Sequence, residues 1–431
     1  MESLKSTSIR FLRSSERLFK LDMAYLAKGG AWTTLSFTAG TLASLVTMVA
    51  FGNLLSRETY GTYNYLLSLG ASLSFLTLSG AGIAVTRAVA RGQEGIVPYV
   101  LRLQLKYNLI AVATVLSVAA YYGYKGNMLF AASLALLAIA YPMAEAFHVF
   151  VQVLTGRRRF DLLAKTVSII TLAATVATLL TLFLTKSVLA LIAVYATFSL
   201  VPNVIAYLFV TRHLKGEEPD PAELREMRRT AFHITGAGLV GTAAAYIDKI
   251  LLFQVAGPAA LAVYGFAIAG PERLKSLIKN WGAVTFPNLA QRTLPEIRQF
   301  IYRRIAFALL VGAALSAAYI VFAPILFKLF LPRYLDAIPY SQVQALGLIF
   351  APVIIYIGSI FAQQNMLRAT YALSVGTQIV RIALFVAFGW LWQIWGLIAA
   401  YLLASLINAL YGILIWEWEI RHLSRIHGHD E

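Results

Sequence analysis

Few charged side chains fall inside the apolar runs of this chain, so each one that does needs a chemical reason. Glu272, Lys275 and Lys279 follow one another at i, i+3 and i+7. That spacing puts all three on one face of a helix. Arg381 stands near the middle of another apolar segment. A charge at the centre of a bilayer costs about 2.5–3.5 kcal/mol on insertion scales. Cations retained there suit either a water-filled cavity that receives an anion or a buried ion pair. Arg273 adjoins the first group, and Arg87 with Arg91 forms an i, i+4 pair at the end of an earlier segment. These could rim the same cavity or anchor the chain to anionic headgroups. Three carboxylates, Asp248, Glu145 and Glu272, are the candidates for taking up Na⁺ or H⁺. For Asp248 and Glu145 the alternative is a structural pair with Arg or Lys. Asp248 and Lys249 are neighbours, and on a helix their side chains diverge by about 100°.

Uncharged polar groups form two stripes. One holds Thr34, Thr38 and Thr41; the other holds Ser168, Thr171, Thr175 and Thr178. Such hydroxyls line a polar path for sugars or bond back to their own helix. The histidines make no site: His148 and His233 are isolated, and His427-x-His429 sits in a polar tail. With no cysteine there is no disulfide, thiolate chemistry or Cys-based metal site. No metal site, cofactor motif, P-loop, dinucleotide fingerprint or Ser-His-Asp set is present. We therefore expect no enzyme, no bound cofactor and no direct ATP drive.

The elements that must position these residues are membrane helices. The chain has 431 residues, 59% of them apolar and 13% charged. A soluble domain has about 45–50% apolar and 25% charged residues. A transmembrane helix takes about 20 residues. Twelve segments fit: 29–55, 63–86, 104–124, 128–154, 163–185, 187–211, 231–254, 258–287, 301–331, 338–366, 369–393 and 394–418. The loops left over are too short for a soluble enzyme domain or a folded ectodomain.

Loop charge tests this count. Of 36 Lys and Arg residues, 29 fall on one side, five fall on the other, and Lys249 and Arg381 lie inside spans. One missed span would invert every later loop. The bias puts both termini in the cytoplasm, and it accounts for the net charge of +16 without nucleic acid. Residues 1–28 then form a cytoplasmic amphipathic segment, centred on Ile9–Leu26, and not a cleavable signal. Residues 29–211 form an amino-terminal six-helix lobe and 231–418 a carboxyl-terminal one. The stretch 212–230 links them as a cytoplasmic surface helix that starts at Asp220-Pro221, and 419–431 is a cytoplasmic tail. Span eight has a clean apolar run only over 258–270, so either it crosses with 271–280 shielded from lipid and a polar face lining a cavity open to the cytoplasm, or it ends at Leu274 and its charges snorkel at the cytoplasmic edge; Gly270-Pro271 invites a kink.

Two features suggest an internal repeat. Phe150-x-Gln152 and Phe361-x-Gln363 end spans four and ten, each followed by a basic residue and then Leu163-Ala164 or Leu373-Ser374. Tyr60-Gly61 is paralleled by Tyr264-Gly265. Two related lobes fit this pattern.

The chain also resembles a known family. Leu54-Leu55-Ser56-Arg57-Glu58-Thr59-Tyr60-Gly61-Thr62-Tyr63 is similar to the first outer loop of Wzx-type polysaccharide flippases. Gly80-Ala81-Gly82 through Thr86-Arg87 and the turn Gly156 to Phe160 continue the likeness. Tyr246-Ile247-Asp248-Lys249-Ile250-Leu251-Leu252, Tyr264-Gly265, Pro287 and Tyr334-Leu335-Asp336-Ala337 follow in order.

The resemblance implies the multidrug/oligosaccharidyl-lipid/polysaccharide (MOP) exporter superfamily and an all-α fold of two lobes in a V, as in MATE transporters. It implies transfer of an undecaprenyl-diphosphate-linked oligosaccharide, such as an O-antigen or lipopolysaccharide precursor, across a bacterial inner membrane. Arg87, Arg273, Lys275, Lys279 and Arg381 are the candidate diphosphate or cavity cations. The expected partners are that lipid and the surrounding membrane lipids, for a monomer working near polysaccharide polymerase machinery. The alternative is a Na⁺- or H⁺-coupled multidrug antiporter of the same superfamily. An intramembrane glycosyltransferase would need large outer loops, which are absent.

Overall fold

In hydrocarbon a spanning segment must satisfy its backbone internally, which leaves helices and closed barrels. The computed structural model describes residues 23–78, 80–212, 214, 219–285, 292–364 and 366–427, and among these every regular element is helical. Most of the expected amphipathic segment, Pro287 and His429 lie outside the described residues.

The elements are α1 (Met23–Leu54), α2 (Arg57–Ser72), α3 (Ala81–Ala90), α4 (Ile96–Tyr124), α5 (Met128–Phe147), α6 (Val149–Gly156) and α7 (Phe160–Leu184). Then come α8 (Val188–Thr211), α9 (Pro221–Thr285), α10 (Leu294–Phe330), α11 (Ile338–Ala345), α12 (Ala351–Gln363) and α13 (Leu367–His427). Tight 3₁₀ turns lie at Leu73–Leu76, Pro332–Ala337 and Leu346–Ile349.

Nine stretches of the described residues are long and apolar enough to cross a membrane. Two of these are double. As one straight rod, the 65 residues of α9 would reach about 98 Å, against a hydrocarbon core of about 30 Å. Gly257 breaks it with φ 80°. Beyond the break the chain doubles back: the Tyr264 hydroxyl donates to Asp248 Oδ2 at 2.8 Å. Sixteen residues apart on one straight helix, these groups would be separated by about 24 Å. α13 folds the same way at Gln393, whose φ is 50°. There Gly396 lies so near Phe388 that a Cβ would collide with its carbonyl. These two hairpins fall between expected spans seven and eight and between eleven and twelve. α3 is a shorter apolar helix of ten residues.

Span two differs from expectation, because it is interrupted between Ser72 and Ala81. The freed backbone groups find side chains. Gln104 Nε2 donates to the Leu78 carbonyl at 3.2 Å, and the Gly80 amide donates to Thr235 Oγ1 at 3.0 Å. Side-chain completion of this kind is what permits a broken helix at membrane depth. Pro271 is buried within α9, and Gly257 is the position of that element whose backbone leaves helical geometry. One other expectation is corrected. The helix expected at 220 does start there, with Asp220 Oδ1 accepting from the Ala222 amide at 3.0 Å. It is no separate surface helix, however, because it runs unbroken to Gly257.

Internal contacts divide the chain into two compact units. One holds the chain up to Ala50 with Leu76–Thr185 and Leu189–Thr235; the other holds Phe51–Phe75, Lys186–Val188 and the chain from Gly236 on. The first unit buries Val85 and Val89 of α3, Val97 and Val100 of α4, Phe150 and Val153 of α6, and Met227 and Ala231 of α9. The second buries Ile297, Ile301 and Ile305 of α10 with Ile357, Ile360 and Phe361 of α12 and Trp416 of α13. Phe150 and Phe361, the paired repeat residues, are both fully buried near a helix end.

The other repeat pair meets directly within the second unit. Tyr60 stacks on Phe266 with ring centres 4.5 Å apart. Gly61 faces the Pro258 carbonyl so closely that a Cβ would collide with it, and Gly265 faces Asn64 and Tyr60. A backbone obstacle cannot rotate away. Gly61→Ala should therefore cost about 1–3 kcal/mol in thermal or denaturant unfolding of the detergent-solubilised protein. Gly40→Ala, which meets open space, should be neutral or stabilising by up to about 1 kcal/mol. Equal stability of the two variants would contradict the close helix approach.

Candidate functional site

Within the second unit a cavity of about 220 Å³ opens among α9, the 346–349 turn, α12 and both halves of α13. Its positive groups are Lys275 from α9 and Arg381 from α13. Its neutral polar groups are Thr377, Gln378, Ser405 and Asn408. No carboxylate lines it. Helical spacing explains the assembly: Thr377, Gln378 and Arg381 fall within one turn of the first half of α13. Tyr401, Ser405 and Asn408 stand at i, i+4 and i+7 on the second half. Gly347 completes the wall, since a Cβ there would strike the Tyr401 ring.

Lys275 Nζ lies 3.2 Å from Glu272 Oε1 and 3.4 Å from the Tyr401 hydroxyl, and 5.2 Å from the centre of the Tyr401 ring. The Arg381 guanidinium lies over the Phe385 ring at 4.9 Å, a favourable cation–π placement. No described carboxylate lies within ion-pair distance of Arg381. Arg381 Nε, Gln378 Oε1 and Asn408 Oδ1 are buried polar atoms with no hydrogen-bond partner. Leaving such a group unpaired costs about 1–3 kcal/mol. An occupant with anionic oxygens and hydroxyls would satisfy both the cation and the two acceptors.

Asp248 is 4% exposed and bonded to Tyr264, while its Oδ1 has no partner. Neither Asp248 nor Tyr264 lines the cavity. Lys249 lies 5.9 Å from the Tyr246 ring centre. The other predicted residues lie elsewhere. Arg273 and Lys279 are exposed on α9 and do not line the cavity. Arg87 is exposed on α3 and Glu145 is exposed on α5, both in the first unit. The hydroxyl stripes largely serve their own helices. Thr38 donates to Thr34, Thr41 to Phe37, Thr175 to Thr171 and Thr178 to Ala174 backbone carbonyls, at 2.8–2.9 Å. Ser168 Oγ reaches across to Ser36 Oγ at 3.2 Å. Among the described residues no group of three or more acidic or histidine side chains could hold a metal.

Several motifs behind the family resemblance turn out to be fasteners. Arg57 makes a two-pronged pair with Asp336 at 2.7 and 2.8 Å and donates to the Arg333 carbonyl at 2.7 Å. These partners come from motifs about 280 residues apart in sequence, both in the second unit. Asn53 Nδ2 donates to the Phe330 carbonyl at 2.8 Å beside them. In the first unit Arg157, from the turn after α6, clamps Glu94 at 2.6 and 2.7 Å.

The buried Asp248–Tyr264 contact yields a direct test. Tyr264→Phe strips a buried carboxylate of its donor and should cost about 1–3 kcal/mol in unfolding. Asp248→Asn combined with it should show a coupling energy of about 0.5–3 kcal/mol in a double-mutant cycle. Strict additivity would contradict the bond.

Solved structures of known transporters share this fold. An inward-facing multidrug resistance MATE family transporter of the MOP superfamily is 16% identical with a TM-score of 0.68, over 90% of this chain and 96% of that one. The lipid II flippase MurJ in an inward closed conformation is 11% identical with a TM-score of 0.63, over 89% of this chain and 87% of that one. A MOP superfamily transporter from Pyrococcus furiosus, with a binding pocket described as having reverse polarity, is 14% identical with a TM-score of 0.60, over 91% of this chain and 95% of that one. No curated protein matches the chain in sequence. A family model described as "Polysaccharide biosynthesis protein" matches residues 26–293, more than half of the chain. This multi-pass membrane protein with the MOP-transporter fold therefore belongs to the polysaccharide biosynthesis protein family.

Proposed function

We propose that the chain is a flippase that moves an undecaprenyl-diphosphate-linked oligosaccharide from the cytoplasmic to the outer leaflet of a bacterial inner membrane. The observation that carries this reading is the composition of the cavity: two cations, neutral hydrogen-bonding groups and no carboxylate. A diphosphate is the part of such a lipid that hydrocarbon rejects most strongly. Guanidinium and ammonium groups can replace its water. Gln378, Asn408 and Ser405 suit the hydroxyls of a sugar. Drug-sized ligand pockets measure about 300–1,000 Å³. A cavity of about 220 Å³ accordingly suits the charged end of the substrate and its adjoining sugar, while the prenyl tail stays in lipid.

In this reading two lobes, 29–211 and 231–418, alternate access around the headgroup, with 212–230 joining them and both termini in the cytoplasm. Arg87, Arg273 and Lys279 guide the diphosphate toward Lys275 and Arg381. Asp248, Glu145 and Glu272 are the groups through which Na⁺ or H⁺ would couple. The step is transport, with no covalent chemistry. The multidrug antiporter alternative calls for a carboxylate-lined cavity, and the polarity here is the opposite.

Flipping of a fluorescent prenyl-diphosphate-linked oligosaccharide in proteoliposomes tests the proposal. Arg381→Ala and Lys275→Ala should each slow it at least tenfold, which is about 1.4 kcal/mol, with unfolding unchanged. Arg421→Ala, on an exposed helix end, should not slow it. Wild-type rates in both cavity variants would remove the cavity from the mechanism. No flipping by the wild type under a Na⁺ or proton gradient would favour the antiporter, with Asp248 and Glu145 as the next targets.

A further inference from the structure

A second hollow, of about 360 Å³, lies at the amino-terminal end of α10, lined by Arg292, Phe300, Arg303, Arg304 and Phe307. The helix geometry explains its make-up. Ile297, Ile301 and Ile305 are buried in the second unit's core and fix the inner stripe of α10. Phe300, Arg303, Arg304 and Phe307, at i, i+3, i+4 and i+7, share a different stripe that faces outward. Arg292 stands in the turn before the helix, where its carbonyl accepts from Gln364 Nε2 at 3.1 Å.

The charge lining this hollow is of one sign. Arg157, Arg159 and Arg421 are each paired with a carboxylate. Among the described residues Arg292, Arg303 and Arg304 form no ion pair, and no carboxylate lines their hollow. Three guanidinium groups thus line one hollow with no counter-ion among the described residues. Further along the same outward face, Phe307 is 66% and Leu310 is 67% exposed. Within about two helical turns the surface passes from guanidinium groups to bare apolar side chains. A lipid molecule has that same order, a phosphate and then an acyl chain.

We propose that this hollow binds the headgroup phosphate of an anionic membrane phospholipid. Arg303 and Arg304 hold the phosphate oxygens in forked hydrogen bonds, and Arg292 closes the site from the preceding turn. Phe300 and Phe307 lie against the glycerol and the first acyl carbons. The occupant is a bulk lipid because the stripe faces outward and continues into exposed apolar side chains, whereas the cavity at Lys275 and Arg381 is a separate set of residues. This site stands whether or not the chain is a flippase.

Native mass spectrometry of the full chain tests it, with phosphatidylglycerol, phosphatidylethanolamine and undecaprenyl phosphate as separate probes. Wild type should retain phosphatidylglycerol in preference to phosphatidylethanolamine, and higher salt should weaken that retention. The pair Arg303→Gln/Arg304→Gln should lower phosphatidylglycerol retention at least fivefold, and Arg303→Lys/Arg304→Lys should recover only part of it. Arg421→Gln should leave it unchanged. Arg292→Gln, in the turn outside the helix, should lower it at least twofold and serves if the double variant does not fold. Unchanged retention in the glutamine variants would overturn the site. So would equal retention of the two phospholipids, or binding of undecaprenyl phosphate alone.

Discussion

A backbone amide or a charge within hydrocarbon finds no water, and the rest of this structure depends on how that constraint is met. Most of the chain meets it by staying helical. Where a helix stops at membrane depth, a side chain takes over: Gln104 and Thr235 complete the backbone between α2 and α3. That interruption also lies where the chain passes from one compact unit to the other, at Phe75 and Leu76. The two hairpin turns, at Gly257 and Gln393, need positive φ, a conformation that glycine takes without strain and glutamine does not.

Charges obey the same constraint. Lys275 rests beside Glu272 and against the Tyr401 ring, and Arg381 rests on Phe385. Lys275 is thus ion-paired with Glu272, whereas Arg381 has no carboxylate within ion-pair distance among the described residues. Removing a buried partner from a charge costs about 3–5 kcal/mol, so a cation kept without one, as Arg381 is, implies that something else stabilises it. The Phe385 ring and the polar walls of the cavity do so at rest. An anionic headgroup would do so better, and its affinity would come from groups already desolvated and oriented.

Much of the architecture was legible in the residues. The twelve segments and the 29-to-5 loop bias are strong signals because each span is long and each error propagates. Lys275 and Arg381 were legible because a charge in an apolar run has few explanations. Tyr401, Ser405 and Asn408 were not read. A single polar residue per turn looks like a packing residue until its partner stripe, Thr377, Gln378 and Arg381, is placed beside it. The break in span two was hidden by Leu73, Phe75, Leu76 and Leu78, whose hydropathy masks the Ser72, Ser74, Thr77, Ser79 and Gly80 among them. Tyr60-Gly61 and Tyr264-Gly265, chosen as marks of a repeat, were informative for a second reason: they pack against each other.

The central claim is that a water-accessible polar cavity inside the second unit receives the charged end of a lipid-linked sugar. The chain contains no cysteine, so single cysteines can be placed without background. The decisive measurement is modification of Gln378→Cys and Asn408→Cys by a membrane-impermeant thiol reagent in proteoliposomes, with and without prenyl-diphosphate-linked oligosaccharide. The account predicts labelling of both positions and at least fivefold protection by that lipid. Cysteines at 378 and 408 that never react, or that react equally with and without the lipid, would contradict it.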